Sequence, residues 1–138
     1  MFRLVKNNRG FSVVEVVIAM AIVGLVTAAA LVIMVGSVES TQNTLNEAAA
    51  QNFVANAVEC YIAADGDRDV FALLMSGAAG YSEDGGCPLY ISDIYGTCNL
   101  PGGYQGQLII TEQALYVCVR DEQGNMYLDW LTYTRGAK

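Results

Sequence analysis

An α+β fold is predicted. One long N-terminal helix packs its second half on a small C-terminal antiparallel sheet, with disulfide-tied loops between. Three observations predict it. Residues 11–35 form an apolar run of 25 residues with a single charge, Glu15. Helical pattern then continues without a proline to about Ala64. The last third of the chain holds three short segments rich in β-branched and aromatic residues, separated by turn sequences.

The first ten residues carry Arg3, Lys6 and Arg9 and no acid, whereas all 14 acidic residues come later. A basic start before an apolar run keeps the start in the cytoplasm and sends the C-terminal part across. Some 20 helical residues cover the ~30 Å hydrocarbon core of a bilayer, so residues 11–35 suffice to span it. They also outlast the 7–15-residue apolar region of a secretory signal peptide, and no small-x-small cleavage signal follows. The run is therefore expected to stay with the mature protein.

Beyond Val35 the helix becomes amphipathic. Leu45, Ala49, Phe53, Ala57 and Cys60 form one stripe, and Val54, Val58 and Tyr61 a second, offset one. Two stripes suit a helix with one face on its own domain and another on neighbouring subunits. Gly66 after Asp65 reads as its stop, giving a helix of roughly 80 Å at 1.5 Å per residue. Gly24 and Gly36 are its weak points. Residues 69–76 read as a short helical turn. Residues 76–106, with eight glycines, both prolines, Cys87 and Cys98, read as a loop that needs tying down. Residues 107–111, 114–120 and 125–133 read as a three-stranded meander, with 121–124 a turn. In the middle strand Leu115, Val117 and Val119 share one face, and Tyr116, Cys118 and Arg120 the other.

Composition excludes several functions. After residue 10, four basic residues stand against 14 acidic ones, a net of −10. Nucleic-acid phosphates would be repelled, so no nucleic-acid partner is expected. There is no histidine, no phosphate loop and no clustered nucleophile and base, so neither an enzyme nor a cofactor is expected. Asp65, Asp67 and Asp69 have the spacing of a calcium loop. Val70 and Ser76 occupy the positions where such a loop needs glycine and glutamate, so no metal is expected. The glycines of residues 102–106 precede a strand rather than a helix and read as a loop. The 13 aromatics show no stacking repeat. Cys60, Cys87, Cys98 and Cys118 all lie beyond the span and form no C-x-x-C motif, which suits two disulfides in an oxidising compartment. Of the three pairings, Cys87–Cys98 with Cys60–Cys118 is favoured because the first closes a short loop in the region most in need of order. The strand reading, which turns Cys118 away from the helix, argues against the second.

Residues 10–24 read Gly-Phe-Ser-Val-Val-Glu-Val-Val-Ile-Ala-Met-Ala-Ile-Val-Gly. This resembles the class III signal of type IV prepilins and type II secretion pseudopilins: a short basic leader ending in glycine, an aromatic or methionine, a glutamate five residues past the cut, and an apolar helix. The resemblance covers about the first 60 residues. It implies three segments: a cleaved leader, 1–10; a transmembrane and polymerisation helix, 11–35; and a pilin globular domain, 36–138. It also implies cutting between Gly10 and Phe11 by a prepilin peptidase, N-methylation of Phe11, an assembly role for Glu15 and a flexible helix point at Gly24. Val32 stands where many type IVa members have proline. The implied partners are other copies of the chain in a helical homopolymer, the peptidase, an assembly platform and the membrane. The implied location is the bacterial inner membrane for the precursor, then a surface pilus or periplasmic pseudopilus.

Physical chemistry supports the same reading. Gly10 offers an unhindered backbone to a protease. An unpaired charge such as Glu15 costs ~2.5–3.5 kcal/mol at the bilayer centre and less near the interface. Cleavage would create an amine at Phe11, and a neighbour's amine is a natural partner for Glu15. The leading expectation is a structural filament subunit, with major pilin ahead of a pseudopilin or minor pilin of a secretion or DNA-uptake system. The alternative of another class is a single-span, membrane-anchored periplasmic binding module that keeps residues 1–10.

Overall fold

The computed structural model describes residues 12–136. The expected leader, residues 1–10, and the expected cleavage and methylation positions at Gly10 and Phe11 lie outside the described residues. Among those described, the helices are α1 (Val13–Ala64) and α2 (Arg68–Leu73), the latter running into a π-type turn at Leu74–Ala78. The strands are β1 (Leu89–Ser92), β2 (Tyr95–Asn99), β3 (Gln105–Ile110), β4 (Ala114–Arg120) and β5 (Met126–Thr134). The chain divides into two compact units, one ending at Thr41 and the other beginning at Gln42.

In the first unit the described residues are almost entirely helix. Valine and isoleucine are mediocre helix formers in water. In a bilayer, however, the backbone must satisfy its own hydrogen bonds, and a helix does that within one segment. No residue of the apolar window is buried within the chain. Exposure of its large apolar side chains runs from 41 % at Val16 to 78 % at Val13, so this surface needs lipid or another protein to cover it.

The second unit is built on the remainder of α1. Ala50, Phe53, Ala57, Cys60, Tyr61 and Ala64 are buried at steps of three and four, against Leu108, Ile110, Leu115, Val117 and Val119 of the sheet. The buried stripe begins at Ala50 rather than at Leu45, which is 62 % exposed. Tyr61 belongs to the core rather than to the offset stripe, and its hydroxyl donates to the Thr111 carbonyl (2.7 Å). The close approach of helix and sheet depends on Gly106, where an added Cβ would lie 2.3 Å from Phe53 Cε1. Helix α1 stops where expected: Asp65 and Gly66 both take positive φ (52° and 83°). Asp67 then caps α2, its carboxylate accepting from the Asp69 and Val70 amides.

The sheet has five antiparallel strands in the order β1-β2-β3-β4-β5, not the three expected over residues 107–133. The extra two lie inside residues 76–106, expected to be loop throughout. Tyr95 pairs with Ile109 and Gly96 with Leu108, while Leu89 of β1 pairs with Cys98. Strand β2 alternates exposed and buried residues, but its inward positions are Gly96 and Cys98. The Gly96 site is filled by Leu108, whose Cδ1 lies 2.5 Å from where a Cβ would stand. A glycine where periodicity needs an apolar side chain hid the strand. Only residues 79–88 and the short connections remain irregular in this region.

The expected disulfide ties are not formed in this structure, where Cys60, Cys87, Cys98 and Cys118 are present as thiols. The neck of residues 79–88 is held instead by backbone bonds, from Tyr81 N–H to Met75 O (3.1 Å) and from Leu89 N–H to Tyr81 O (3.2 Å).

Candidate processing and assembly site

At the start of α1 the Ser12 carbonyl accepts the Val16 amide (3.1 Å). Ser12 therefore stands at the helix N-cap and Glu15 at the third helical position, the spacing of a Ser-x-x-Glu capping box. The Ser12-x-x-Glu15 spacing is present in the sequence itself. Glu15 is the one acid in the first turn, where the helix dipole favours negative charge.

Glu15 shares one side of α1 with Val16, Ala19, Met20, Val23 and Gly24, which line a shallow open strip. The spacing i, i+4, i+8 places Glu15, Ala19 and Val23 in one row, with the other three beside it. One carboxylate heads an otherwise apolar strip, and small residues at 19 and 24 let another helix come close. The helix passes through Gly24 unbroken, and no heavy atom lies within 4 Å of an added Cβ. Packing within the chain therefore does not call for glycine there. One turn later the Thr27 hydroxyl donates to the Val23 and Gly24 carbonyls (both 2.9 Å), a bonding pattern that weakens and bends helices slightly. Thr27 thus lies within one turn of the position where the sequence leads us to expect a flexible point, Gly24.

On the second unit the offset stripe is present in part. Val54 and Val58 are half-buried and line an open groove with Leu128 and Leu131 of β5. Leu131 is 48 % exposed.

The cysteines fall into two places. Cys60 and Cys98 are in the core, and Cys87 packs against it. The Cys98 thiol donates to the Cys87 carbonyl (3.2 Å). Burial, and then the neighbouring Cys87, pushes the Cys98 thiol up to about 12. Cys118 lies outside that core cluster, between the inward-facing Val117 and Val119, and its thiol donates to Gln107 Oε1 (3.8 Å). The sheet thus separates Cys118 from Cys60, as the alternation of β4 had warned. Among the described residues no group of three histidine, cysteine or acidic side chains is placed to hold a metal ion. Asp67 and Asp69, two of the three acids with calcium-loop spacing, are engaged in the α2 cap and in an exposed pair with Arg68 (3.5 Å).

The prokaryotic N-terminal methylation motif, the class III signal of type IV pilins and pseudopilins, matches residues 5–31. That span joins the basic leader, Glu15, Gly24 and the exposed apolar helix into one recognised unit, and it supports a pilin-like or pseudopilin precursor. No curated protein and no solved structure shows a significant match to the chain.

Proposed function

We propose that this protein is the repeating structural subunit of a type IV pilus-like filament, a major pilin with neighbours on both sides. It is held in the inner membrane as a precursor, cut between Gly10 and Phe11 by a prepilin peptidase and methylated on the new amine. It is then drawn by an assembly platform into a helical homopolymer at the cell surface. Its role is structural rather than catalytic. The observation that carries the reading is the coincidence of the methylation motif with a helix whose apolar side chains, Val13 to Val38, are all exposed within their own chain. Lipid covers such a surface before assembly, and the same surface on other copies covers it afterwards. Glu15, at the head of the apolar strip, supplies a charge that a neighbour's Phe11 amine would neutralise. A subunit at a filament tip has no need of that pairing on both sides.

The test is the intact mass of exported protein. The expected mass corresponds to a chain beginning at Phe11 with one added methyl group, and Gly10→Leu should accumulate as uncut precursor. Exported protein that mostly retains residues 1–10 would overturn the filament reading in favour of a membrane-anchored module.

A further inference from the structure

The four thiols do not form two potential pairs. Cys98 on β2 faces α1, because its partner across the ladder is Gly106, the residue against which Phe53 packs. Its thiol reaches the Cys87 carbonyl at 3.2 Å, so the two cysteines are immediate neighbours in space. Cys87 lies two residues before Leu89, the direct β1 partner of Cys98, and it is half-buried. Cys60 is buried in the same core, on α1. Cys118 is excluded by the sheet. Between the pairs Val117–Leu131 and Val119–Leu128, strand β5 has two residues, Asp129 and Trp130, where β4 has only Cys118. The bulge seats Cys118 against that edge and Gln107, on the side opposite the helix.

We propose that the second unit carries a single disulfide, Cys87–Cys98, which clasps the irregular neck at residues 79–88 to β2, while Cys60 and Cys118 remain thiols. The clasp acts at one edge of the sheet. Strand β1 is four residues long and is an edge strand, and the neck before it contains three glycines, two of them exposed. Oxidation proceeds by thiol–disulfide exchange with a small-molecule or protein disulfide. Cys87, the more accessible thiol, loses its proton and attacks one sulfur of the oxidant, releasing one thiol. The Cys98 sulfur then displaces the second. One S–S bond forms as one breaks, and the oxidant leaves as two thiols carrying the two electrons and both protons. The oxidising compartment rests on the export reading, but the bond itself can be tested apart from it.

Purified full chain in detergent, fully reduced, should be oxidised with glutathione disulfide, alkylated under denaturing conditions and mapped without reduction. The expected product is one cross-linked Cys87–Cys98 peptide, with Cys60 and Cys118 recovered alkylated. Reduction should lower the melting temperature of the wild type by roughly 10 °C, that of Cys118→Ser equally, and that of Cys87→Ser not at all. A Cys60–Cys118 or Cys60–Cys98 cross-link, or four alkylated thiols, would overturn the proposal, as would equal sensitivity of Cys87→Ser to reduction. None of these outcomes bears on leader removal, which intact mass reads separately.

Discussion

Two residues have chemistry that a single measurement can isolate. Glu15 has two candidate roles, since it occupies the capping-box position of its own helix and also heads the apolar strip. Capping and dipole effects contribute about 0.3–1 kcal/mol, too little to decide whether a bilayer-length helix forms. Glu15→Val should therefore insert normally and accumulate in the membrane, because it removes a charge that lipid disfavours. It should fail to build filaments if the pairing with a neighbour's amine guides assembly. Glu15→Gln separates the roles: it keeps a side chain that can complete the cap but has no charge to pair. Filament yield after shearing, read beside the membrane pool by blotting, should fall about tenfold or more for both variants. Normal filaments from Glu15→Gln would leave Glu15 with a capping role only. The second residue is Cys98. Its folded-state pKa is raised, so the stability linked to its protonated thiol is complete below the unfolded value near 9 and is lost as pH rises toward about 12. Thermal melts of reduced protein across that window should show a decline with pH, and the decline should be flatter in Cys98→Ala. Parallel slopes would mean that the buried thiol does not titrate with unfolding.

At the scale of elements, the contact between α1 and β3 has the least slack. Gly106→Ala would place a methyl group 2.3 Å from the Phe53 ring, and Phe53 is fully buried. Overpacking of this kind costs about 1–3 kcal/mol, which urea titration of the folded chain would register. Phe53→Leu should recover part of the loss in the double variant, whereas independent, additive effects would show that the two sites do not share the strain. The same contact explains what could and could not be read from sequence. Strand β4 was legible residue for residue, because Leu115, Val117 and Val119 alternate with Tyr116, Cys118 and Arg120. The end of α1 was legible from Asp65-Gly66. Strands β1 and β2 were not, because Gly96 holds an inward position that tertiary packing fills with Leu108. The start of the buried stripe was misplaced for a related reason. Leu45 has the right spacing for the core, but buried contact with the rest of the second unit begins at Ala50. The methylation motif was legible in the sequence, whereas the parts played by Ser12 and Thr27 became visible only once the helix start and its internal bonds were placed.

At the scale of the whole molecule, the exposed apolar surface and the buried core belong to different parts of the chain. Among the described residues, every buried core residue lies at or beyond Ala50, while the continuous series of exposed large apolar residues ends at Val38. A fragment of residues 42–138 therefore removes nothing from the core. It keeps the whole five-stranded sheet, α2 and the part of α1 that packs on them. It should fold on its own as a soluble monomer with a single cooperative melting transition, since a unit of about 100 residues can bury enough surface to be stable. New exposure at its N-terminus is limited to helix residues that are already open to solvent, so the cost should be fraying of the first turn or two of helix. Circular dichroism melts and size-exclusion chromatography check this directly. A cooperative, monomeric fragment beside a full chain that needs detergent would locate the apolar surface that must be covered in the first helical unit. A fragment that aggregates or melts without a transition would mean that the apolar helix also supports the fold, and that the two roles cannot be separated at Thr41.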